Sequence, residues 1–229
     1  MNGKKALLLV GSPRGLASVS HSLGNYLLSL LEKHGMAIKK LLVYPALAEE
    51  KKMAELLAAV NSCSLLVLAF PLYVDHLPAP VIDLLQRIAE RRQGQPAAPT
   101  QALAAIVNCG FPETAHCHPA REIVRIFAKQ AGFRFLGCLA LGMGGAIGNR
   151  PLAKAGGLVR HQVKALTQAA DFLGKGEEIP TEIIALMGKA MMPRWFYSLI
   201  ADWGWKRSAR KFKVSKCLRD KPYDPEGTI

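Results

Sequence analysis

Leu7-Leu8-Leu9-Val10-Gly11-Ser12-Pro13-Arg14, followed closely by Ser18-Val19-Ser20, is the stretch on which the reading of this chain turns. The apolar residues from Lys5 to Val10 run without alternation, the pattern of a parallel strand covered on both faces. They stop at Gly11. A hydroxyl-rich loop follows, and from about Ser20 to His34 the residues Leu23, Tyr26, Leu27, Leu30 and Leu31 recur at helical spacing, with Gly35 as the stop. A strand thus delivers a loop onto a helix N-terminus, where unpaired N–H groups and the helix dipole favour an anion. Ser12, Ser18 and Ser20 offer hydroxyls and Arg14 a cationic fork, the donor set a phosphate needs. The same residues also suit an ordinary strand-to-helix turn whose serines cap the helix. No Gly-Lys-Ser/Thr is present, so the loop is not a P-loop.

The same rhythm repeats outward from this unit. Strands are predicted over about 38–43, 64–70, 102–109 and 133–141, with helices over about 49–62, 78–92, 119–131 and 155–173. Residues 93–100, with Gly94, Pro96 and Pro99, read as an exposed connection. Five successive strand–helix units with right-handed crossovers imply a five-stranded parallel sheet covered on both faces. In the order 2-1-3-4-5 the ligand crevice falls at the carboxyl ends of strands one and three. Loops 11–20, 71–78 and 110–118 all leave carboxyl ends, which predicts a single site at one sheet edge. The glycines of 142–148 lack the spacing of a dinucleotide fingerprint and follow the fifth strand, so they read as a flexible loop beside that site.

Composition narrows the class. Half of the 229 residues are hydrophobic, and no uninterrupted apolar run approaches the ~18–20 residues of a membrane span. Met1 to Lys5 leads directly into the first strand with no secretory pattern ahead of it, from which a cytoplasmic location is expected. The five cysteines (63, 109, 117, 138, 217) are dispersed and read as free thiols. Cys109, His116, Cys117 and His118 have ligand chemistry without metal-site spacing, so no metal is expected. The net charge of +13 is uneven: residues 189–221 carry 10 basic and 2 acidic side chains, and all three tryptophans lie between 195 and 205. Residues 1–176 are therefore read as one domain and 177–229 as a basic, Trp-rich helical extension that is too short to fold independently.

Gly11-Ser12-Pro13-Arg14 with Ser18 and Ser20, and Phe70-Pro71-Leu72-Tyr73-Val74-Asp75 with Leu77-Pro78-Ala79-Pro80, resemble the NADPH-dependent FMN reductase family of flavodoxin-like proteins. Asn108-Cys109-Gly110-Phe111-Pro112-Glu113 and the glycine-rich turn at 142–148 resemble a related group of NAD(P)H-dependent oxidoreductases. The resemblance spans about residues 5–175. It implies a flavodoxin-like three-layer αβα sandwich with noncovalent FMN. The phosphate would lie on the loop of Ser12, Arg14, Ser18 and Ser20. The ring would lie against Pro71, Leu72, Tyr73 and Val74, with Cys109, Gly110 and Phe111 bordering its other side. Val19 stands where many members carry threonine. Iron–sulfur relatives carry a run of cysteines after the second helix, where this chain has only Cys63, so no cluster is expected.

The implied activity passes electrons from NADPH or NADH through FMN to a small acceptor such as a quinone or a free flavin, in a homodimer. No acid or base is assigned, because the cofactor carries the chemistry. The alternative is a flavodoxin-like electron carrier that docks a redox partner. Its usual acidity and Thr/Ser-x-Thr-Gly-x-Thr loop do not match this basic chain. The tail has three readings: an appendage packing on the core or a dimer partner, which the sequence favours; a membrane-surface helix; or a docking site for an acidic partner. No nucleic-acid motif accompanies its charge.

Overall fold

The computed structural model describes residues 4–93, 101–148 and 150–220. The chain divides into two units, Met1–Met191 and Met192–Ile229. In the first unit β1 (Lys5–Val10) is followed by α1 (Val19–Lys33), β2 (Ala37–Leu42), α2 (Val43–Leu47), α3 (Glu50–Ser62), β3 (Leu65–Pro71) and α4 (Ala79–Arg92). Then come β4 (Ala102–Asn108), α5 (His118–Gln130), β5 (Arg134–Leu141), α6 (Gly144–Ile147), α7 (Arg160–Lys175) and α8 (Thr181–Met187). The strands form one all-parallel sheet in the order β2-β1-β3-β4-β5, the flavodoxin-like order that was expected. Most of the exposed connection expected at 93–100 lies outside the described residues.

The period-two geometry of the strands divides the core between the two faces of the sheet. Leu7, Leu9, Leu66, Leu68, Phe70, Leu103 and Val107 point to the side covered by α3, α4 and α5. Ala6, Leu8, Val10, Val67, Ala69 and Ile106 point to the side covered by α1, α7 and α8. This is why the strands read as unbroken apolar runs: both alternating sets are buried. The edge strands depart from it: β5 begins with the exposed Arg134, and β2 is mostly exposed. Lys39 and Lys40 are exposed there, charges that discourage pairing with another strand. Lys39 pairs with Glu55 at 2.7 Å, and Lys40 donates to Asn25 Oδ1 at 3.0 Å.

Three local readings need correction. β2 ends at Leu42, one residue short of the expected Val43, and is followed by a helix the sequence pattern did not indicate, α2; Pro45 sits in its first turn, where its missing N–H costs nothing. α7 begins at Arg160 rather than near 155, because Gly156 adopts φ +67° and the preceding residues form short 3₁₀ turns at Leu152–Lys154 and Gly156–Val159. Residues 177–191, assigned to the extension by sequence, stay with the core unit. The Ile179 N–H donates to Leu136 O at 2.8 Å, and Ile183 and Met187 are buried among core residues.

The second unit holds α9 (Arg194–Lys211) and a short 3₁₀ turn, Ser215–Cys217. Its C-terminus is a Schellman cap: Lys213 is left-handed (φ +58°), and the N–H groups of Lys213 and Val214 donate to Arg210 O and Ala209 O.

Close approach of β1 to α4 is set by Gly11. A Cβ there would lie 2.5 Å from Val81 Cγ2 and 3.2 Å from Phe70 Cβ. Gly11→Ala is expected to destabilise the protein by about 1–3 kcal/mol, read as a lowered midpoint in urea unfolding; an unchanged midpoint would show that the contact yields freely.

Candidate functional site at the carboxyl edge of the sheet

The loop after β1 closes on itself before α1 begins. The Gly15 N–H donates to Ser12 O at 3.0 Å and the Ala17 N–H to Arg14 O at 3.1 Å, forming a 3₁₀ turn over Gly15–Ala17. Ser18 is the N-cap of α1: its hydroxyl accepts from the His21 N–H at 3.0 Å and donates to Gly15 O at 2.6 Å. A serine cap of this kind is worth about 1 kcal/mol. The helix-capping reading is therefore met by Ser18, and the first-turn N–H groups of Val19 and Ser20 remain without an intrahelical acceptor. Ser12 is buried and its hydroxyl accepts weakly from the Arg14 N–H at 3.4 Å, while the Arg14 side chain is exposed. Beside this turn, burial and the Lys40 ammonium push the His21 imidazole down, so His21 Nε2 takes the neutral acceptor role toward Lys40 Nζ at 3.0 Å.

Ser20 points inward. Its hydroxyl donates to Asn108 Oδ1 at 2.7 Å, a buried bond between residues 88 apart in the chain. Asn108, the last residue of β4, also accepts the Leu72 N–H at its backbone oxygen, at 2.8 Å. One asparagine thus ties the loops after β1, β3 and β4 together. Leaving its buried oxygen unpaired would cost about 1–3 kcal/mol. Sequence reasoning did not assign Asn108 to the site. The available signal was a single amide ending an otherwise apolar strand.

The loop after β4 is locked to the turn after β5. The Met143 N–H donates to Phe111 O at 2.7 Å, the Gly144 N–H to Cys109 O at 2.8 Å, and the Cys109 N–H to Leu141 O at 2.9 Å. A Cβ on Gly142 would lie 2.5 Å from Pro112 O, so this approach requires glycine. The flexible loop expected at 142–148 is instead a short helical turn, α6, with Met143, Gly144 and Ile147 buried. The hydrogen bonds to the neighbouring loop order it. Cys109 is buried too, with Sγ 3.6 Å from Phe111 O and 3.7 Å from Glu113 O. A hydrogen bond from the Cys117 thiol holds Cys109 below its ordinary thiol range and pushes Cys117 up. All five cysteines are free.

The exposed part of the site is apolar and aromatic. Tyr73 and Phe111 are 46% and 53% exposed, and Val74 is 99% exposed. Pro71 and Leu72 are half-buried beneath them. A Cβ on Gly110 would meet nothing within 4 Å, so space is open beside Phe111. The 71–78 and 109–118 loops meet where His116 Nδ1 lies 3.4 Å from Asp75 Oδ1, and within the second loop the Phe111 and His116 rings are 4.4 Å apart. Tyr73 and His76 exchange backbone hydrogen bonds at 2.9 and 3.0 Å around a two-residue turn. Both central residues are left-handed, Val74 at φ +50° and Asp75 at φ +56°. Such turns favour Asn-Gly. A β-branched residue in this conformation carries local strain, and it stands at the point of greatest exposure in the site.

No protein-family model matches the chain, and no curated protein matches its sequence. Its structure is similar to that of an FMN-dependent NADH-azoreductase from Bacillus anthracis in complex with FMN (13% identity, TM-score 0.55, covering 75% of this chain and 100% of that one). It is likewise similar to the Trp repressor binding protein of Bacillus subtilis (16% identity, TM-score 0.51, covering 72% and 96%). A third is a Streptococcus pneumonia flavodoxin (12% identity, TM-score 0.51, covering 74% and 98%). At these identities the likeness is one of fold: the chain has a flavodoxin-like fold.

Replacing Val74 by asparagine, which tolerates left-handed backbone, is expected to raise stability by about 1 kcal/mol. Thermal unfolding reads this directly, and a lowered Tm would mean that the turn is not strained.

Proposed function

We propose that this chain is an FMN-dependent NAD(P)H oxidoreductase that passes electrons from NADPH or NADH to a small acceptor such as a quinone or a free flavin. The observation that carries the reading is the meeting, at the carboxyl ends of β1, β3 and β4, of a helix N-terminus with hydroxyl and guanidinium donors and an exposed apolar wall. A phosphate and a flat, polarizable ring are what such a pair of features accommodates. The fold is shared with an azoreductase solved in complex with FMN, which supports the same ligand.

The residues divide the work. The Ser12 hydroxyl, the Arg14 guanidinium and the N–H groups of Val19 and Ser20 would hold the phosphate. Ser18 and Ser20 already have protein partners for their hydroxyls; their part is to set the helix start and tie it to Asn108. Val19 offers an N–H where the family resemblance expects a further hydroxyl. Pro71, Leu72, Tyr73 and Val74 would form one wall of the ring site, and the Cys109, Gly110 and Phe111 turn the other border. Cys109 contributes there by shaping the turn, since its thiol is buried and its backbone N–H and oxygen already bond Leu141 and Gly144. Bound FMN supplies the hydride-accepting and electron-donating chemistry, so no side chain is required as acid or base. The protein's part is to orient the ring and leave one face open to the nicotinamide and the acceptor in turn.

The test is an anaerobic stopped-flow mix of purified flavin-loaded protein with NADPH and, separately, NADH. Bleaching of the flavin band within seconds is expected with at least one of them. Bound flavin that neither nucleotide reduces would overturn the reductase reading in favour of an electron carrier. Protein that fails to take up added FMN would overturn both.

A further inference from the structure

The chemistry of the second unit is distributed along its helix rather than around it. Successive i, i+4 positions of α9 read Trp195, Leu199, Trp203, Arg207 and Lys211, neighbours along a ridge that turns by about 40° around the axis at each step. The first three members are apolar and the last two cationic. Phe196 and Ile200 flank the apolar part; Lys206 and Arg210 flank the cationic part. The apolar half spans about 12 Å at the rise of an α-helix. Its members are exposed, Trp195 by 67% and Trp203 by 61%. The Arg207 guanidinium lies 5.5 Å from the Trp203 ring centroid, at the point where one half gives way to the other. Beyond the helix the basic character continues through Lys213, Lys216 and Arg219.

From this arrangement we infer that α9 docks the protein on an anionic lipid bilayer, lying at the interface with its Trp195–Trp203 half against the acyl boundary and its Lys206–Lys211 half on the headgroup phosphates. This docking does not depend on what the carboxyl edge of the sheet binds. Charge complementarity supplies the first part: residues 189–221 carry 10 basic and 2 acidic side chains, and each Lys or Arg near an anionic surface adds to the attraction. The aromatic type supplies the second. Tryptophan pairs an apolar ring with an N–H that needs a polar partner, which suits it to the boundary between headgroups and acyl chains. Every tryptophan of the chain is in this unit. The helix does not have the length and apolarity to cross a membrane, so the inference is of a surface contact in which its apolar and basic halves succeed one another along the axis. A second copy is a poorer occupant, since a parallel pairing of this row would set Arg207 and Lys211 against their equivalents.

The test uses the full chain with sucrose-loaded vesicles of phosphatidylcholine alone and of phosphatidylcholine mixed with phosphatidylglycerol. Partition into the anionic vesicles is expected to exceed that into neutral ones by about tenfold or more, and to weaken at about 0.5 M salt as screening shortens the reach of the charges. Because all tryptophans lie in this unit, their emission should shift to the blue on anionic vesicles. Trp195→Ser with Trp203→Ser, and separately Arg207→Gln with Lys211→Gln, should each lower partition about tenfold while far-ultraviolet dichroism stays unchanged. Absence of binding to anionic vesicles would overturn the inference, as would binding indifferent to the tryptophan pair. A dimer in sedimentation that the Trp195→Ser/Trp203→Ser variant dissolves would assign the face to a second copy. Displacement from vesicles by soluble polyglutamate at matched charge would assign it to an acidic polypeptide. Either result contradicts the lipid assignment.

Discussion

A parallel sheet covered on both faces can expose chemistry only at the ends of its strands. Every helical crossover returns the chain to the same starting edge, so the loops after β1, β3 and β4 all leave from the other. In this protein that constraint is reinforced by one side chain. Asn108 receives the Ser20 hydroxyl at its amide oxygen and the Leu72 N–H at its backbone oxygen. The three loops are thereby held by buried bonds, whose strength comes from the lack of competing water. The turn after β5 joins them through Met143 and Gly144. The side chains left exposed at this edge include Arg14, Leu16, Tyr73, Val74 and Phe111, which the framework leaves available to a ligand.

The architecture was legible because its signals are local. Leu7 to Val10 and Leu65 to Phe70 are apolar at every position, which only a doubly covered strand requires, and the alternation of strands with helices implies a parallel sheet, its order coming from the flavodoxin-like resemblance. The site was legible in part. The loop serines were visible, but whether each hydroxyl serves the helix, the neighbouring strand or a ligand depends on tertiary contacts. Ser18 turned inward to cap α1 and Ser20 to meet a residue on β4, 88 positions away, a pairing that carries no local signature. The 142–148 turn was misread for the same reason: glycines suggest freedom, whereas Gly142 is present to let two backbones meet. Val74 and Asp75 lack the Asn-Gly of their turn type, so the hairpin could not be read from turn chemistry.

Locally unfavourable choices gather where the chain is most exposed. The left-handed Val74 is the clearest, since asparagine or glycine would hold the same turn at lower cost. An apolar side chain kept there despite strain and solvent is consistent with a surface that is covered when the site is in use. The exposed aromatics of α9 pose the same question in the second unit, and there the adjoining cations indicate the kind of surface that would cover them.

The central claim is that the carboxyl edge holds a flavin by its phosphate as well as by its ring. Comparing the affinities of FMN and riboflavin, by quenching of flavin fluorescence, addresses this most directly. Two charge-assisted hydrogen bonds at about 1.5–3 kcal/mol each imply that FMN binds at least about a hundredfold more tightly than riboflavin. Arg14→Gln should erase about tenfold of that difference. Equal affinities for the two flavins would contradict the account.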